Sequence, residues 1–172
     1  MSRQALIVID LQNDYFPGGR YPLWNADATL DTVEAAILDA RSANVPVVLV
    51  QHVADASKGV APFFNAGTPG VEIHTRILAA APDAPIVVKT AADSFHHTSL
   101  EQTLSALDVD TLLICGMMTQ NCVTHTAISK AAEKYTVKVL RDGCTTVDQM
   151  IHGIALSGLS TRIPLIESES AF

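Results

Sequence analysis

The sequence predicts an α/β protein, a three-layer α/β/α doubly wound fold around a six-stranded, mainly parallel sheet. Three observations lead there. Six short runs are almost continuously aliphatic or β-branched, which is how strands buried on both faces read. Most of them are separated by stretches with apolar residues at helical spacing, the alternation that builds right-handed crossovers. With 172 residues, 48% hydrophobic and 17% charged, the chain is expected to form one domain, residues 1–172, over a substantial core.

The strands are expected at residues 5–9, 45–50, 86–88, 111–115, 136–140 and 162–166. A first helix over 27–44 carries Leu30, Val33, Ile37 and Leu38 at helical spacing and stops ahead of Val45-Pro46, because the residue before a proline avoids helical backbone. Further helices are expected over 98–107, over 119–134 with Val123, Ala127 and Ala131 on one face, and over 147–159. From His52 to Arg76, Gly59, Pro62, Gly67, Pro69 and Gly70 break regular structure, so residues 52–76 read as one long irregular loop. Residues 13–25, with Phe16-Pro17-Gly18-Gly19 and Trp24, read likewise, and long loops are commonly functional.

The 11 basic and 18 acidic residues leave a net charge of −7, which argues against a nucleic-acid partner. Three cysteines are an odd number and lie in or beside predicted core elements, so no disulfide framework is expected and a reducing, cytoplasmic setting is. The first apolar run is short and ends at Asp10, unlike a secretory signal. No run reaches the ~20 apolar residues of a membrane span. The apolar composition hints at buried subunit interfaces. No Gly-x-Gly-x-x-Gly follows the first strand, so a dinucleotide site is not expected.

Three residues carry the chemistry. Asp10 ends the first predicted strand, Lys89 ends the third, and Cys122 follows the fourth at the start of a predicted helix. In an open α/β sheet, ligands bind beyond the carboxyl ends of the strands, where all three fall. A helix N-terminus favours a thiolate, a carboxylate can take the thiol proton, and an ammonium steadies both anions. Taken singly, a charge at a strand end is often a solvated loop residue, and a cysteine near a helix start is often a small core residue. Three complementary groups at one edge read as a site.

The chain also resembles a family. Ala5-Leu-Ile-Val-Ile-Asp-Leu-Gln-Asn-Asp14, the lysine of Val88-Lys89, and Cys115-Gly-Met-Met-Thr-Gln-Asn-Cys-Val123 look like the three signature blocks of the isochorismatase-like cysteine hydrolases, a superfamily that includes nicotinamidases. The likeness extends to Gly67-Thr-Pro-Gly70 and Ser94-Phe-His-His-Thr-Ser-Leu100. It implies an Asp10, Lys89, Cys122 catalytic triad, a non-proline cis peptide at Met117–Met118, and an oxyanion hole made by the N–H groups of Met118 and Cys122. It implies amide-type C–N hydrolysis of a small molecule through a Cys122 thioester, and a homo-oligomer. The alternatives are isochorismatase-type vinyl-ether hydrolysis, in which Cys122 would be a bystander, and a non-catalytic small-molecule-binding protein on the same fold.

The likeness weakens after the second strand. Nicotinamidases there carry an Asp-x-His metal motif, whereas this chain has Val50-Gln-His-Val53, so no metal and no other cofactor is expected. His52 is then a pocket hydrogen-bonding residue or an exposed loop residue. His74, His96, His97, His125 and His152 show no ligand spacing, and His125, one turn from Cys122, reads as a helix-surface residue. The expected substrate pocket is Phe16, Trp24, His52, Phe95, Met117 and Thr119. Phe63 and Phe64 suit either the pocket or an oligomer interface. Cys115 reads as an inert core residue, Cys144 as a thiol near the same edge, and Asp142 as a cap of a turn or of the next helix.

Overall fold

The computed structural model describes residues 3–172. Six strands form one sheet: β1 Gln4–Ile9, β2 Val47–His52, β3 Ile86–Lys89, β4 Thr111–Met117, β5 Thr136–Thr145 and β6 Leu165–Ile166. Every neighbouring pair runs parallel, in the order β3-β2-β1-β4-β5-β6. The chain builds outward from β1 to β3, then restarts on the other side of β1 with β4. That reversal opens a crevice between the carboxyl ends of β1 and β4. Ile9 is in register with Val50 on one side and with Gly116 on the other.

The strands bury both faces because alternate residues serve different cores. Leu6 and Val8 of β1 face α1 (Ala26–Ser42) and α2 (Thr75–Ala80), in a core with Leu30, Val33, Ile37 and Ile77. Ala5, Ile7 and Ile9 face α3 (Leu100–Ala106), α4 (Thr124–Ala127) and α5 (Gln149–Ser160), in a second core with Leu100, Leu104, Val123 and Leu159. This is the three-layer arrangement expected. Among the described residues no helix is long and apolar enough to cross a membrane.

Three elements differ from the sequence reading. The helix expected over 119–134 is broken into a π turn at Thr119–Val123, α4, and a 3-10 turn at Lys130–Lys134. The hydroxyl of Thr124 donates to the Thr119 carbonyl at 2.6 Å, supporting the wide first turn. Ser129 is extended, with its Oγ accepting from Ala131 N–H and donating to Asp93, and this stops the helix. Second, α2 lies at the end of the stretch read as loop, started by His74, whose Nδ1 accepts from Arg76 N–H. Third, β5 passes Leu140 through an irregularity and continues to Thr145, so Gly116 pairs with Cys144. Asp142 does not cap the next helix, α5, which Asp148 caps; it accepts from the N–H and hydroxyl of Ser168, at the start of the 3-10 turn Ser168–Ser170, and fastens the C-terminal segment.

The crevice depends on one close approach. Gly116 has φ +127°, and a Cβ placed there would stand 2.0 Å from the carbonyl oxygen of Ile9. Only glycine lets β4 pass β1 at this point. Gly116→Ala is expected to cost more than about 2 kcal/mol in urea denaturation, backbone strain and overlap combined. Gly18→Ala, where φ is +88° and nothing lies within 4 Å, is expected to cost only about 1 kcal/mol.

Candidate active site

Asp10 is the first residue after β1 and takes a left-handed conformation, φ 56°, in which its N–H donates to the Val50 carbonyl at 3.0 Å. Aspartate tolerates that backbone better than most residues. Lys89 is the last residue of β3. Cys122 lies in the π turn after β4, whose Met117–Met118 peptide is cis, as expected from the resemblance. The three side chains meet under the crevice. Lys89 Nζ stands 2.9 Å from Asp10 Oδ2 and 3.2 Å from Cys122 Sγ, and the side chains of Asp10 and Lys89 are both fully buried.

The ammonium also reaches His52 Nδ1 at 2.9 Å and the Ala91 carbonyl at 3.1 Å. His52 is thus drawn to the triad, 4.0 Å from Asp10 Oδ2, and is not a free loop residue. Its main chain is clamped by Gln12, which accepts from His52 N–H and donates to the His52 carbonyl, both at 2.8 Å, and donates to the Val71 carbonyl at 2.7 Å. Asp14, in the same block of sequence, accepts from Arg20 N–H and Phe64 N–H and binds the two irregular loops together.

Electrostatics sets the resting protonation. Burial pushes the Cys122 thiol up, the Asp10 carboxylate pushes it further, and Lys89 only partly opposes them. Burial disfavours the Lys89 ammonium, but Asp10 and Cys122 outweigh it and hold Lys89 above the ordinary lysine range. His52 is held low by burial and then by Lys89, against Asp10, so the imidazole is neutral. The sequence reading expected a thiolate favoured by a helix N-terminus; the structure instead holds a protonated thiol beside an ion pair. The second carboxylate oxygen, Asp10 Oδ1, is buried with no hydrogen-bond partner. A buried acceptor left open is costly unless something fills it.

The other expected pocket residues divide. Met117, the last residue of β4, and Thr119, the first of the turn that carries Cys122, are both buried. Trp24 is partly exposed beside the end of β5, its main-chain N–H donating to the Thr146 carbonyl and its ring 5.8 Å from that of His152. His152 in turn meets Thr119 Oγ1 at 2.9 Å, a role its spacing in the sequence does not announce. Phe16 is displaced: it faces His74 at 4.7 Å and lines a groove of about 520 Å³ that no triad residue lines. Phe95 is also elsewhere, stacked on Tyr135 at 6.3 Å, because its loop packs along the segment from α4 to β5. Phe64 is buried and Phe63 half-buried, in an aromatic cluster with Tyr15 whose Phe64 ring lies 5.9 Å from His52. Tyr15, passed over in the sequence, feels the site directly: burial raises its hydroxyl, and Asp10 and Cys122 raise it further.

A doubly wound α/β/α fold with a buried Asp, Lys and Cys together at its switch point is the architecture of an isochorismatase-like hydrolase. The chain belongs to the isochorismatase family, whose domain model matches residues 4–169. It is 35% identical over 147 residues to the isochorismatase family protein YddQ of Bacillus subtilis, across 86% of this chain and 80% of that one. It is 30% identical over 168 residues to the streptothricin hydrolase of Streptomyces noursei, across 98% of this chain and 63% of that enzyme. The crystal structure of the pyrazinamidase of Pyrococcus horikoshii in complex with zinc superposes with a TM-score of 0.83 at 25% identity, across 96% of this chain and 99% of that one.

Among the described residues one trio has the composition of a metal site: Asp10, His52 and Cys122, with donor atoms within 4.8 Å of one another. Lys89 Nζ touches all three, at 2.9, 2.9 and 3.2 Å. The seat a cation would take between these donors is therefore held by an ammonium, and the set does not fit a divalent ion.

The resting thiol yields a prediction of definite sign. Asp10 raises the thiol and Lys89 lowers it, so Asp10→Asn leaves the lowering charge unopposed. The gain in thiolate outweighs the loss of nucleophilicity, which falls only about half as steeply. Iodoacetamide labelling of Cys122 near neutral pH, read by peptide mass, should accelerate by about threefold or more in Asp10→Asn although turnover is lost. Equal or slower labelling would contradict the charge assignment.

Proposed function

We propose that this protein is a cysteine hydrolase that cleaves an amide-type C–N bond of a small molecule through a thioester on Cys122. The observation that carries the reading is the buried Lys89 ammonium, bonded at once to a carboxylate and to a thiol, with the second carboxylate oxygen open. The relatives support it, since one of them is a hydrolase and another an amidase by name.

The steps follow from the atoms present. As the substrate carbonyl reaches Cys122, Asp10 takes the thiol proton and Sγ bonds to the carbonyl carbon. Lys89 keeps both anions in place during the transfer. The oxyanion is received by the N–H groups of Met118 and Cys122, at the start of and within the turn that carries the nucleophile. Asp10 then gives its proton to the leaving nitrogen, the C–N bond breaks, and an acyl thioester remains. Asp10 next takes a proton from water, the hydroxide adds to the thioester, and Sγ leaves and recovers its proton. Trp24 and His152, the latter bonded to Thr119 of the turn that carries Cys122, would meet the acyl side of the substrate.

A screen of small amides supplies the test. Cys122→Ala and Asp10→Ala should each lower kcat by at least about 10⁴-fold on any substrate found, with unchanged circular dichroism. Acid quench of the wild-type enzyme during turnover should reveal the acyl mass on the Cys122 peptide. Turnover retained in Cys122→Ala would end the thioester route.

A further inference from the structure

The Lys89 ammonium has three protons and four acceptors. Asp10 Oδ2 and His52 Nδ1 stand at 2.9 Å, the Ala91 carbonyl at 3.1 Å and Cys122 Sγ at 3.2 Å. A lysine kept charged can only donate, so His52 Nδ1 is the bare nitrogen of a neutral ring whose proton sits on Nε2. One acceptor must share, and it is the sulfur: a neutral thiol accepts most weakly, and it stands furthest from Nζ.

We propose that His52 is a positioning residue that rations Lys89: by accepting one ammonium proton it keeps the lysine from bonding fully to Cys122, and so holds the nucleophile as a resting thiol. The inference rests on the reading of Cys122 as nucleophile. Among the three competitors of the sulfur, His52 is the one able to yield. Asp10 carries the opposing charge, and the Ala91 acceptor belongs to the backbone. The His52 side chain is 22% exposed, where those of Asp10 and Lys89 are fully buried, while its main chain is pinned by Gln12. When Asp10 takes the thiol proton, the new thiolate becomes the stronger acceptor. The ammonium proton shared with His52 then turns to sulfur, and no other group has to move. His52 thereby couples formation of the thiolate to the one competing side chain that is partly open to solvent.

The test needs no substrate. Iodoacetamide labelling of Cys122 near neutral pH is compared, by peptide mass, among the wild type, His52→Leu, which removes the acceptor, and His52→Asn, which keeps one. His52→Leu should label about threefold faster, since the gain in thiolate is partly offset by lower nucleophilicity. His52→Asn should stay within about twofold of the wild type. If His52→Leu does not fold, as judged by circular dichroism, His52→Phe takes its place. Labelling no faster than wild type without the acceptor overturns the proposal. So does equal acceleration in both variants, which signals loosened packing. Because these arms measure the thiol alone, they can fail while amide hydrolysis stands. Failure of the thioester reading shows separately, as turnover in Cys122→Ala.

Discussion

A single buried ammonium organises this molecule. Lys89 and Asp10 are both removed from water, and two ions taken from water are tolerated only when paired and hydrogen-bonded. The ion pair satisfies the first condition, and the Ala91 carbonyl and His52 ring help to satisfy the second. Removing either partner would strand a buried charge, at a cost on the order of 3–5 kcal/mol. The requirement reaches into the fold: β1, β2 and β3 must end level with one another, because residues at their ends share one charge network. The register meets it, with His52 opposite Lys89 at the ends of β2 and β3.

The loops serve the same constraint. Gln12 sits at 0% exposure two residues beyond Asp10, and a buried amide needs its hydrogen bonds met. It meets them with the main chain of His52 and Val71, tying the end of β1 to the end of β2 and to the long loop. Asp14 repeats the device one turn further on, with Gly70 so close that a Cβ would meet its carboxylate at 2.0 Å. The two irregular segments are therefore parts of the site's wall, anchored by buried polar side chains where helices would use apolar ones.

Much of this was legible in the sequence, for reasons that differ from element to element. The strands could be read because both faces are buried, which leaves runs such as Ala5–Ile9 without polar interruption. Asp10 and Lys89 could be read because each ends such a run, and Cys122 because a block of familiar spacing surrounds it. The break at Ser129 could not, since it depends on a hydroxyl reaching Asp93, 36 positions away. Phe16 and Phe95 misled because an aromatic in a Gly- or Ser-rich loop carries no sign of which wall it will face. His152 was passed over for the converse reason: it meets Thr119 only through packing of α5 against the π turn. Tyr15 lies one residue past the first block, and its proximity to the charges is a product of the fold.

The charge state of Cys122 shows why helix-terminus arguments must yield to the pair beside them. A helix end offers partial charge that fades within a turn, whereas Asp10 and Lys89 present full charges within a few ångströms. Cys122 sits in a π turn leading into a four-residue helix, so the dipole behind it is small. Burial and Asp10 dominate, and the thiol stays protonated. A protonated nucleophile beside an ionised carboxylate has a chemical use: the proton released on attack lands on the group positioned to hand it to a leaving nitrogen. A preformed thiolate would leave Asp10 with no proton to give, and an amine expelled without one is a poor leaving group.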